Sequence, residues 1–533
     1  MSTPVSIQDG PFTTNTLVSK KFIFVYIFVI WISVFPLLIE LYIFWKLTAN
    51  KPTLFIIILP IQIYIGYIIL VISSIFTSKI ILTFINKIFK PKEGVFSRIN
   101  GEKNYYFWSL RAVIKKWPVW VSKFIPIPCI KKLNLRWFHN DSEFMEIGKN
   151  VYIGRGCSIK ASMIFGNYLI IKRIKIEDNV VIGSNSFIAP GTCIQKGAIL
   201  GPMSVSKFNQ KFKPHTAYTG FPAKIIVTHE NDFLSSLHNL EEEIFNYPMD
   251  QIHKKENKGS RIQNKKFVKN LSFNLSIFGF IYFISNLFPF LGVFYFGIEF
   301  FLPNILQSPN LFSIICEITS LTTFLLTPFI LIILIMTHLL ILTILIKIFY
   351  KIILYFNPVE EGTFHWHNKE ENFKNYFKHS FVLRYLKWKL QKSPFPWFMA
   401  PAFNFVGNCR FGKNTIIEDS YIAKEFLEVG NNVYLGKSLI ANHLWDKNLT
   451  IKKVIIGDNV TISDTCCIAP GTEVDDDVFL FPLSVTAKYD KLLSNRYYYN
   501  APLTNISMKE LRQRFNLKIK NDKENSPVIK DTE

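Results

Sequence analysis

One histidine of this chain stands in a setting that could carry out proton-transfer chemistry. His443 lies in the stretch NHLWDKN, next to Asn442 and three residues before Asp446. Imidazole titrates near neutral pH, so it can take the proton that an amine or hydroxyl loses as it attacks an electrophilic carbonyl. Asp446 could orient the ring, and the backbone N–H of Gly457 could stabilise an oxyanion. A surface or structural histidine is the alternative interpretation.

A second group of candidate residues precedes and includes the motif GFPAK at 220–224. The residues of this group that we expect to bind substrate or cofactor are Lys207, His215, Gly220, Pro222 and Lys224, and Asn442 beside His443 is expected to do the same. The lysines would contact phosphates, although each could also be an ordinary solvated charge, and His215 could be a solvated turn residue.

An internal repeat predicts the fold that positions these residues. From Ile176 the chain reads IEDNVV, IGSNSF, IAPGTC, IQKGAI and LGPMSV, and from Ile456 it reads IGDNVT, ISDTCC, IAPGTE, VDDDVF and LFPLSV. One aliphatic residue in every six fits neither the helical period nor strand alternation. Each block is typical of a short strand and a turn, with the aliphatic side chain inside a coil that stacks on its neighbours. The sequence therefore predicts two parallel β-helices rather than sandwich strands.

The two copies differ at the position of the histidine. IAPGT occurs at Ile188 and Ile468, 280 residues apart, whereas SEFMEIG and KEFLEVG begin at Ser142 and Lys424, 282 residues apart. The intervening loop is therefore two residues longer in the first copy. Counting back from the following repeats places Met163 opposite His443, so we expect the imidazole in the second copy alone.

Long apolar runs place the repeats at a membrane. The chain has 533 residues, of which 49% are hydrophobic and 16% aromatic. Runs at 22–45, 54–84, 277–302 and 311–346 are long enough to cross a bilayer, and they form two helical hairpins. Glu317, near a span end, is either a functional carboxylate or an interfacial residue.

Charge and cysteine usage narrow the class of protein further. The net charge of +22 is concentrated beside the apolar runs, which predicts that both termini and the polar parts lie in the cytosol. The stretches that follow each hairpin mix aromatic and basic residues, which is typical of a lipid interface. No RNA-binding motif accompanies them, so we expect no nucleic-acid partner. Seven cysteines without CxxC spacing, and no cluster of histidines, argue against a structural metal.

On these motifs the chain resembles the hexapeptide-repeat acyltransferases. GFPAK is similar to the G-x-P-A signature that closes the left-handed β-helix of that family, where the acyl-CoA site forms. The alternation of hairpin and β-helix, the pair SEFMEIG and KEFLEVG, and NHLWDKN resemble more closely the membrane-bound C-terminal region of the ε-poly-lysine synthetase type of nonribosomal peptide synthetase. The resemblance covers most of 22–506. It departs in having two hairpin-plus-helix units instead of three, in lacking adenylation and carrier domains, and in reading NAPL at 500–503 where the first copy reads GFPA.

The resemblance and the residues together predict a membrane-bound acyltransferase or aminoacyltransferase. It would move an acyl group from acyl-CoA or another thioester to an amine or hydroxyl of a small-molecule acceptor, with His443 as general base and without a bound cofactor. Membrane lipid is an expected partner, and a homo-oligomer remains open. A non-catalytic membrane scaffold is the alternative function, and a transporter is disfavoured because the spans contain few charges.

The predicted fold is a membrane protein with two left-handed parallel β-helix domains, each preceded by a transmembrane α-helical hairpin. The predicted segments are a cytosolic tail (1–21), hairpin 1 (22–90), amphipathic interfacial helices (91–140), β-helix domain 1 (141–227), a charged linker (228–271), hairpin 2 (272–356), interfacial helices (357–400), β-helix domain 2 (401–506), and a C-terminal helix with a disordered tail (507–533).

Overall fold

The computed structural model of the chain consists of long apolar helices and short strands, most of which pair in parallel. It describes residues 14–98, 101–124, 138–139, 141–227, 264–365, 371–445 and 448–515. Most of the predicted linker and the C-terminal tail lie outside these residues.

The helices occur in two hairpins with further helices after each. They are α1 Phe22–Thr48, α2 Pro52–Ile88, α3 Lys103–Val121, α4 Asn264–Phe296, α5 Leu311–Cys316, α6 Ile318–Phe356, α7 Glu371–Lys392, α8 Met399–Val406 and α9 Met508–Phe515. A wider helical segment, Gly297–Leu306, continues α4. Among the described residues, four stretches are long and apolar enough to cross a membrane: Phe22–Thr48, Pro52–Ile88, Leu275–Leu306 and Ile318–Phe356.

Helix boundaries differ from the predicted ones at the second hairpin. Helix α4 begins at Asn264, inside the stretch that we predicted to be linker. The fourth span begins at Ile318 rather than near 311, because the extended backbone of Glu317 (φ −90°, ψ 121°) separates α5 from α6. The Glu317 carboxylate accepts a hydrogen bond from the Ser320 hydroxyl at 2.9 Å in the first turn of α6. Glu317 is therefore an exposed residue at a helix start, in line with the interfacial interpretation.

The strands fall into two groups that we call unit 1 (141–227) and unit 2 (409–506). Unit 1 contains β2 Met145–Ile147, β3 Tyr152–Ile153, β4 Ser158–Ile159, β5 Ser162–Phe165, β6 Tyr168–Ile171, β7 Ile174–Ile176, β8 Val181–Ile182, β9 Phe187–Ile188, β10 Cys193–Ile194, β11 Ile199–Leu200, β12 Lys211–Phe212, β13 Ala217–Thr219 and β14 Lys224–Val227; the preceding strand β1 is Gly94–Ser97. Strand β15 is Gly362–His365, and unit 2 contains β16 Cys409–Phe411, β17 Ile416–Ile417, β18 Tyr421–Ile422, β19 Leu427–Val429, β20 Tyr434–Leu435, β21 Leu439–Ile440, β22 His443–Trp445, β23 Asn448–Ile451, β24 Val454–Ile456, β25 Thr461–Ile462, β26 Cys467–Ile468, β27 Glu473–Val474, β28 Phe479–Leu480, β29 Lys491–Leu492, β30 Tyr497–Tyr499 and β31 Thr504–Ile506.

Each unit is a β-helix-like stack of coils whose strands pair in parallel on three faces. On one face of unit 1, Ile153 pairs with Ile182, and Ile182 pairs with Leu200. The repeat isoleucines 182, 188, 194, 462 and 468 are all fully buried. Asparagines such as Asn179 and Asn459 hold the left-handed backbone conformation at the turns, which few other side chains tolerate. The regular aliphatic spacing thus builds the core of each unit, while the hand of the coil stays a prediction.

A β-hairpin interrupts the coil of each unit at the same place. Strands β5 and β6 form it in unit 1, and β22 and β23 form it in unit 2. The strand that follows each membrane hairpin covers the edge: β1 pairs with β6, and β15 pairs with β23. Because exposed strand edges invite wrong pairing, this contact protects the edge and ties each pair of membrane helices to its unit.

The helix after each hairpin is more deeply buried than its composition suggests. The composition of α3 predicts that its aromatic rings lie at the lipid interface. In the structure Trp108 and Trp117 are instead buried within the protein. Lys115 and Lys116 on the same helix are buried too. Helix α3 therefore lies between the first membrane hairpin and unit 1, because its polar groups find protein partners there.

The two units pack against each other through an ion pair and a cluster of aromatic rings. The Lys160 ammonium of unit 1 lies 2.8 Å from the Asp464 carboxylate of unit 2. Burial disfavours the charged form of Asp464, but Lys160 and the Ser158 hydroxyl outweigh it and keep its pKa below the ordinary value. The rings of Phe165 and Phe479 pack in a tilted arrangement with their centroids 4.3 Å apart. Separating the two units would leave a buried charge without its partner, which is costly. The ion pair therefore fixes how the two units pack.

The buried aliphatic positions should carry the stability of each unit. Replacing Ile182, which is fully buried, by alanine should destabilise the protein by about 2–5 kcal/mol, because the core cannot refill the space. The neighbouring Val181 in β8 is 37% exposed, so Val181→Ala is the matched control and should cost less than about 1 kcal/mol. Thermal unfolding of both variants in the same detergent measures the difference, and equal losses would contradict the inward orientation of Ile182.

Candidate active site

His443 lies at the first position of β22, at a corner of the unit 2 coil. Strand pairing places it opposite Ile451, and it places Ser162 opposite Ile171 in unit 1. The backbone N–H of Lys452 donates to Asn442, as that of Lys172 donates to Ala161. The counterpart of His443 is therefore Ser162, and our alignment with Met163 was wrong by one residue, because the first hairpin is one residue longer than the second between these paired positions.

Helix α7 supplies the groups that contact the histidine. The Tyr376 hydroxyl lies 2.7 Å from Nδ1 of His443 and donates a hydrogen bond of 3.1 Å to Oδ1 of Asn442. Nδ1 of His443 lies 3.1 Å from that same Oδ1. With the tyrosine proton directed at Asn442, Nδ1 of the neutral ring carries a proton and donates it, which leaves the lone pair on Nε2.

Burial sets the charge state of His443. The ring is half-buried, and burial together with the nearby positive charge of Lys424 lowers the pKa of His443 to about 4. Both causes disfavour the charged imidazolium. In the described residues Nε2 has no hydrogen-bond partner. The histidine is therefore neutral at physiological pH, with a free lone pair.

Two buried lysines make this corner electropositive. Burial lowers the pKa of Lys387 to about 7, and burial with the charge of Arg384 lowers that of Lys424 to about 8. Their ammonium groups lie 4.1 Å and 5.7 Å from the centre of the Tyr421 ring. Within the described part of the chain neither forms an ion pair with a carboxylate. A cation over an aromatic face is a weaker partner than a carboxylate, so these contacts do not offset the burial that disfavours the charged form of each lysine.

Helix α7 carries a histidine, His379, that contacts a buried glutamate. Nε2 of His379 lies 2.8 Å from the carbonyl oxygen of Asn357, to which it must donate. Nδ1 of the same ring lies 3.3 Å from Oε2 of Glu425. Nδ1 and Oε2 form a hydrogen bond when a proton lies on one of these two atoms, either the ring nitrogen or the carboxyl oxygen. Burial raises the pKa of Glu425, although the hydrogen bond and the charge of His379 oppose the shift.

We call Tyr376, His379, Lys424, Glu425, Asn442 and His443 the His443 cluster. Two of its buried polar atoms have no partner, Nδ2 of Asn442 and Oε1 of Glu425. Asn442 is only 1% exposed, so its amide cannot be compensated by bulk water. A buried polar group without a partner costs about 1–3 kcal/mol, and such groups commonly occur where a ligand completes the network.

The corresponding residues of unit 1 form a closed network, which we call the Ser162 cluster. It comprises Trp108, Lys115, Asp141, Glu143 and Ser162. The indole N–H of Trp108 donates to Asp141 at 2.6 Å, the Ser162 hydroxyl donates to the same carboxylate, and Lys115 pairs with Glu143 at 2.6 Å. Burial disfavours the charged form of Glu143, but Lys115 outweighs it and lowers the pKa. Every buried polar side-chain atom of these five residues has a partner, and the cluster has no imidazole.

The other predicted site residues lie elsewhere. Asp446 lies outside the described residues. His215 is an exposed turn residue whose ring lies over Gly197, and Lys224 is exposed on β14. The N–H of Gly457 is used within the coil, where it donates to Val474, so it does not serve as an oxyanion donor.

The closing motif of unit 1 lies beneath the C-terminal helix. The N–H of Gly220 donates to the Ser204 hydroxyl at 3.2 Å, and Phe221, next to Pro222, contacts the Phe515 ring of α9. Lys207, half-buried, precedes this contact in the chain. Within the described residues no hydrogen bond, ion pair or ring contact joins Lys207, His215, Gly220, Pro222 or Lys224 to His443. The donor-binding role of these five residues stays a prediction.

Sequence reasoning did not find Tyr376, His379 and Glu425. A signal for them is present, since NYYFWS at 104–109 matches NYFKHS at 375–380, which aligns Tyr105 with Tyr376. The same match aligns Trp108 with His379, and both side chains contact an acidic residue of their own unit. Comparing these stretches, instead of interpreting them by composition alone, would have found the helix face that completes the site.

Metal binding finds no support in the described residues, where no group of three or more His, Cys, Asp or Glu side chains could hold an ion.

No family model matches the chain, and no curated protein matches it significantly. Solved structures match it in part. A variant of AntD, an N-acyltransferase from Bacillus cereus in complex with dTDP and coenzyme A, is 18% identical (TM-score 0.15), and the match covers 19% of this chain and 60% of that one. A maltose O-acetyltransferase from Clostridium difficile 630 is 28% identical (TM-score 0.15), with 16% and 49% covered. A hexapeptide-repeat acetyltransferase from Vibrio cholerae O1 biovar eltor, with acetyl coenzyme A, is 31% identical (TM-score 0.15), with 16% and 50% covered.

This chain thus spans about half to three fifths of the length of those structures. All three structures are acyltransferases or acetyltransferases. This is the broad enzyme class that the repeats in the sequence of this chain suggest. With matches over less than a fifth of this chain and such low TM-scores, they carry no argument about its site, donor or acceptor.

After burial, the charge of Lys424 should contribute to the low pKa of His443. Because a neighbouring cation disfavours the imidazolium, Lys424→Gln should move the pKa upward from about 4 toward the ordinary 6.5. Histidine hydrogen–deuterium exchange, followed by mass spectrometry across pH 3–8, measures the pKa in the intact protein. Lys413→Gln, on an exposed turn of the same unit, is the control and should leave it unchanged. An unchanged pKa in the Lys424 variant would contradict the electrostatic account.

Proposed function

We propose that the protein is a membrane-bound acyltransferase whose reaction takes place at the His443 cluster of unit 2. The donor is a thioester such as acyl-CoA, and the acceptor is a small molecule with an amine or hydroxyl. The observation that carries this proposal is the contrast between the two units. The same corner is fully paired in unit 1, whereas in unit 2 it combines a neutral imidazole with two buried polar atoms that lack partners.

The reaction would proceed by direct transfer. Nε2 of His443 takes the proton of the amine or hydroxyl as its nitrogen or oxygen attacks the thioester carbonyl, and a tetrahedral oxyanion forms. The C–S bond then breaks, and the imidazolium returns the proton to the departing thiolate, which leaves as the thiol. The nearby thiol of Cys409 is an unsuitable nucleophile, because burial raises its pKa well above the ordinary value.

The surrounding groups support the charge changes of this reaction. Tyr376 and Asn442 hold Nδ1 and so keep the lone pair on Nε2. The buried Nδ2 of Asn442 is a free donor that could bind the oxyanion, and the charge of Lys424 favours the same oxyanion. The charge of Lys424 also disfavours the imidazolium form of His443. His443 is therefore a weak base that stays unprotonated and can accept a proton from the acceptor group.

Several finer statements belong to this proposal. The coils are left-handed, and the chain is related to the membrane-bound region of the ε-poly-lysine synthetase type, so the transferred group could be an aminoacyl group. The units and both termini lie in the cytosol, with the acceptor reaching His443 near the membrane surface. The ranges 22–90 and 272–356 are the membrane hairpins, which is supported by four helices of sufficient length and apolarity.

Removing the imidazole should abolish most of the transfer. General base catalysis contributes about 10²–10⁴-fold, so His443→Ala should lower the rate of thiol release by at least about 100-fold. The assay uses the purified full chain in nanodiscs. The donors are a panel of acyl-CoA thioesters, the acceptors are mixtures of amines and lipids, and the products are identified by mass spectrometry. Tyr376→Phe removes the hydroxyl beside Nδ1 and should cause a smaller loss.

Ser162→Ala is the matched control, because Ser162 occupies the same place in unit 1. It should leave the rate within about twofold, and unchanged thermal unfolding of His443→Ala would show that its loss is chemical. Full transfer by His443→Ala would contradict the proposal. Absence of thiol release by the unaltered protein with every donor would favour the scaffold function instead.

A further inference from the structure

A cavity lies between the two helices of the first membrane hairpin, far from the His443 cluster in the sequence. It has a volume of about 770 Å³ and is lined largely by aliphatic side chains of α1 and α2. Glu40 of α1 and Gln62 of α2 are its two polar side chains capable of accepting or donating several hydrogen bonds. Glu40 lies 18 residues into α1, roughly 27 Å along the helix from Phe22, and eight residues before its end at Thr48, so the cavity is within the span, toward its loop end.

The two polar groups face the cavity without partners. Oε2 of Glu40 and Nε2 of Gln62 are buried, and neither has a hydrogen-bond partner. Gln62 is only 7% exposed, although its residue type is ordinarily found at the surface. Inside a bilayer no water compensates such groups, and each one costs several kcal/mol unless a partner is present.

The backbone brings the two groups together. Gly66 follows Gln62 by one helical turn, and a Cβ at this glycine would lie 2.9 Å from Leu37 Cδ1 and 3.4 Å from Oε2 of Glu40. A larger residue at position 66 would therefore push the helices apart beside the carboxyl group. The close approach holds Glu40 within about one turn of Gln62, so one small polar group could contact both.

The cavity is open toward the surrounding lipid. Of its lining residues, Ile39, Ile43 and Leu47 are each more than a third exposed on the outer face of the hairpin. A molecule dissolved in the bilayer could enter from the side, with its chain along these residues and its polar group inside. The size of the cavity is within the range of sites for small ligands.

We propose that this cavity binds an uncharged, single-chain amphiphile with a hydroxyl head. A hydroxyl can donate to Oε2 of Glu40 and accept from Nε2 of Gln62 at the same time, and hydrocarbon can do neither. The aliphatic lining accommodates the chain. The site is separate from the acyl-transfer reaction and does not depend on it.

The test uses the full chain in phosphatidylcholine nanodiscs and two photoreactive probes with identical diazirine-bearing tails. One is a 1-monoacylglycerol, and the other is the fatty acid methyl ester, which lacks hydroxyls. We expect the monoacylglycerol to label peptides of 36–48 and 54–69 at least fivefold more than the ester, and unlabelled monoacylglycerol to compete. The double variant Glu40→Leu/Gln62→Leu should reduce this labelling to the level of the ester.

Glu299→Leu, an acidic residue of the second hairpin, is the matched control and should leave labelling unchanged. If the double variant does not fold, Ile58→Trp keeps both polar groups, fills the cavity and should also abolish the preference. Equal labelling by both probes in the unaltered protein would overturn the proposal. Stronger labelling by a long-chain amine with the same tail would also overturn it, in favour of a cation site.

Discussion

The structure depends on how each β-helix-like unit satisfies the polar groups at the corner where its β-hairpin leaves the coil. A buried polar atom needs a partner, and in both units the partner comes from the helix after the membrane hairpin. Helix α3 provides Trp108 and Lys115 to unit 1, and α7 provides Tyr376 and His379 to unit 2. This requirement connects the membrane helices to the units, and it leaves different chemical groups at the two corners.

The two glutamates at equivalent positions, Glu143 and Glu425, show how different partners change the chemistry of the same corner. Glu143 is paired with a lysine, which lowers its pKa against the effect of burial. Glu425 is paired with a histidine, and there burial prevails and raises the pKa. Unit 1 is thus a neutralised, closed corner. Unit 2 combines a carboxyl group of raised pKa, a neutral imidazole and unpartnered buried atoms, an arrangement that costs stability and is typical of a functional site.

The sequence predicts the repeat core well, because a buried isoleucine such as Ile182 or Ile462 recurs at a spacing that few folds explain. The apolar runs likewise predict the helices of the hairpins. The alignment of His443 failed by one residue, since turn lengths decide strand register and spacing alone does not reveal them. Tyr376 was missed for a different reason: composition suggested a lipid interface, whereas long-range packing put the tyrosine against Asn442. Such contacts join residues 66 positions apart, and no local pattern encodes them.

The most direct test is a cryo-electron microscopy structure of the full chain in nanodiscs with a non-hydrolysable thioether analogue of acyl-CoA. Our account predicts that the acyl carbonyl lies within hydrogen-bond distance of Nδ2 of Asn442 and next to Nε2 of His443, while the Ser162 cluster stays empty. An analogue bound at the Ser162 cluster, or one whose carbonyl is remote from His443, would contradict it.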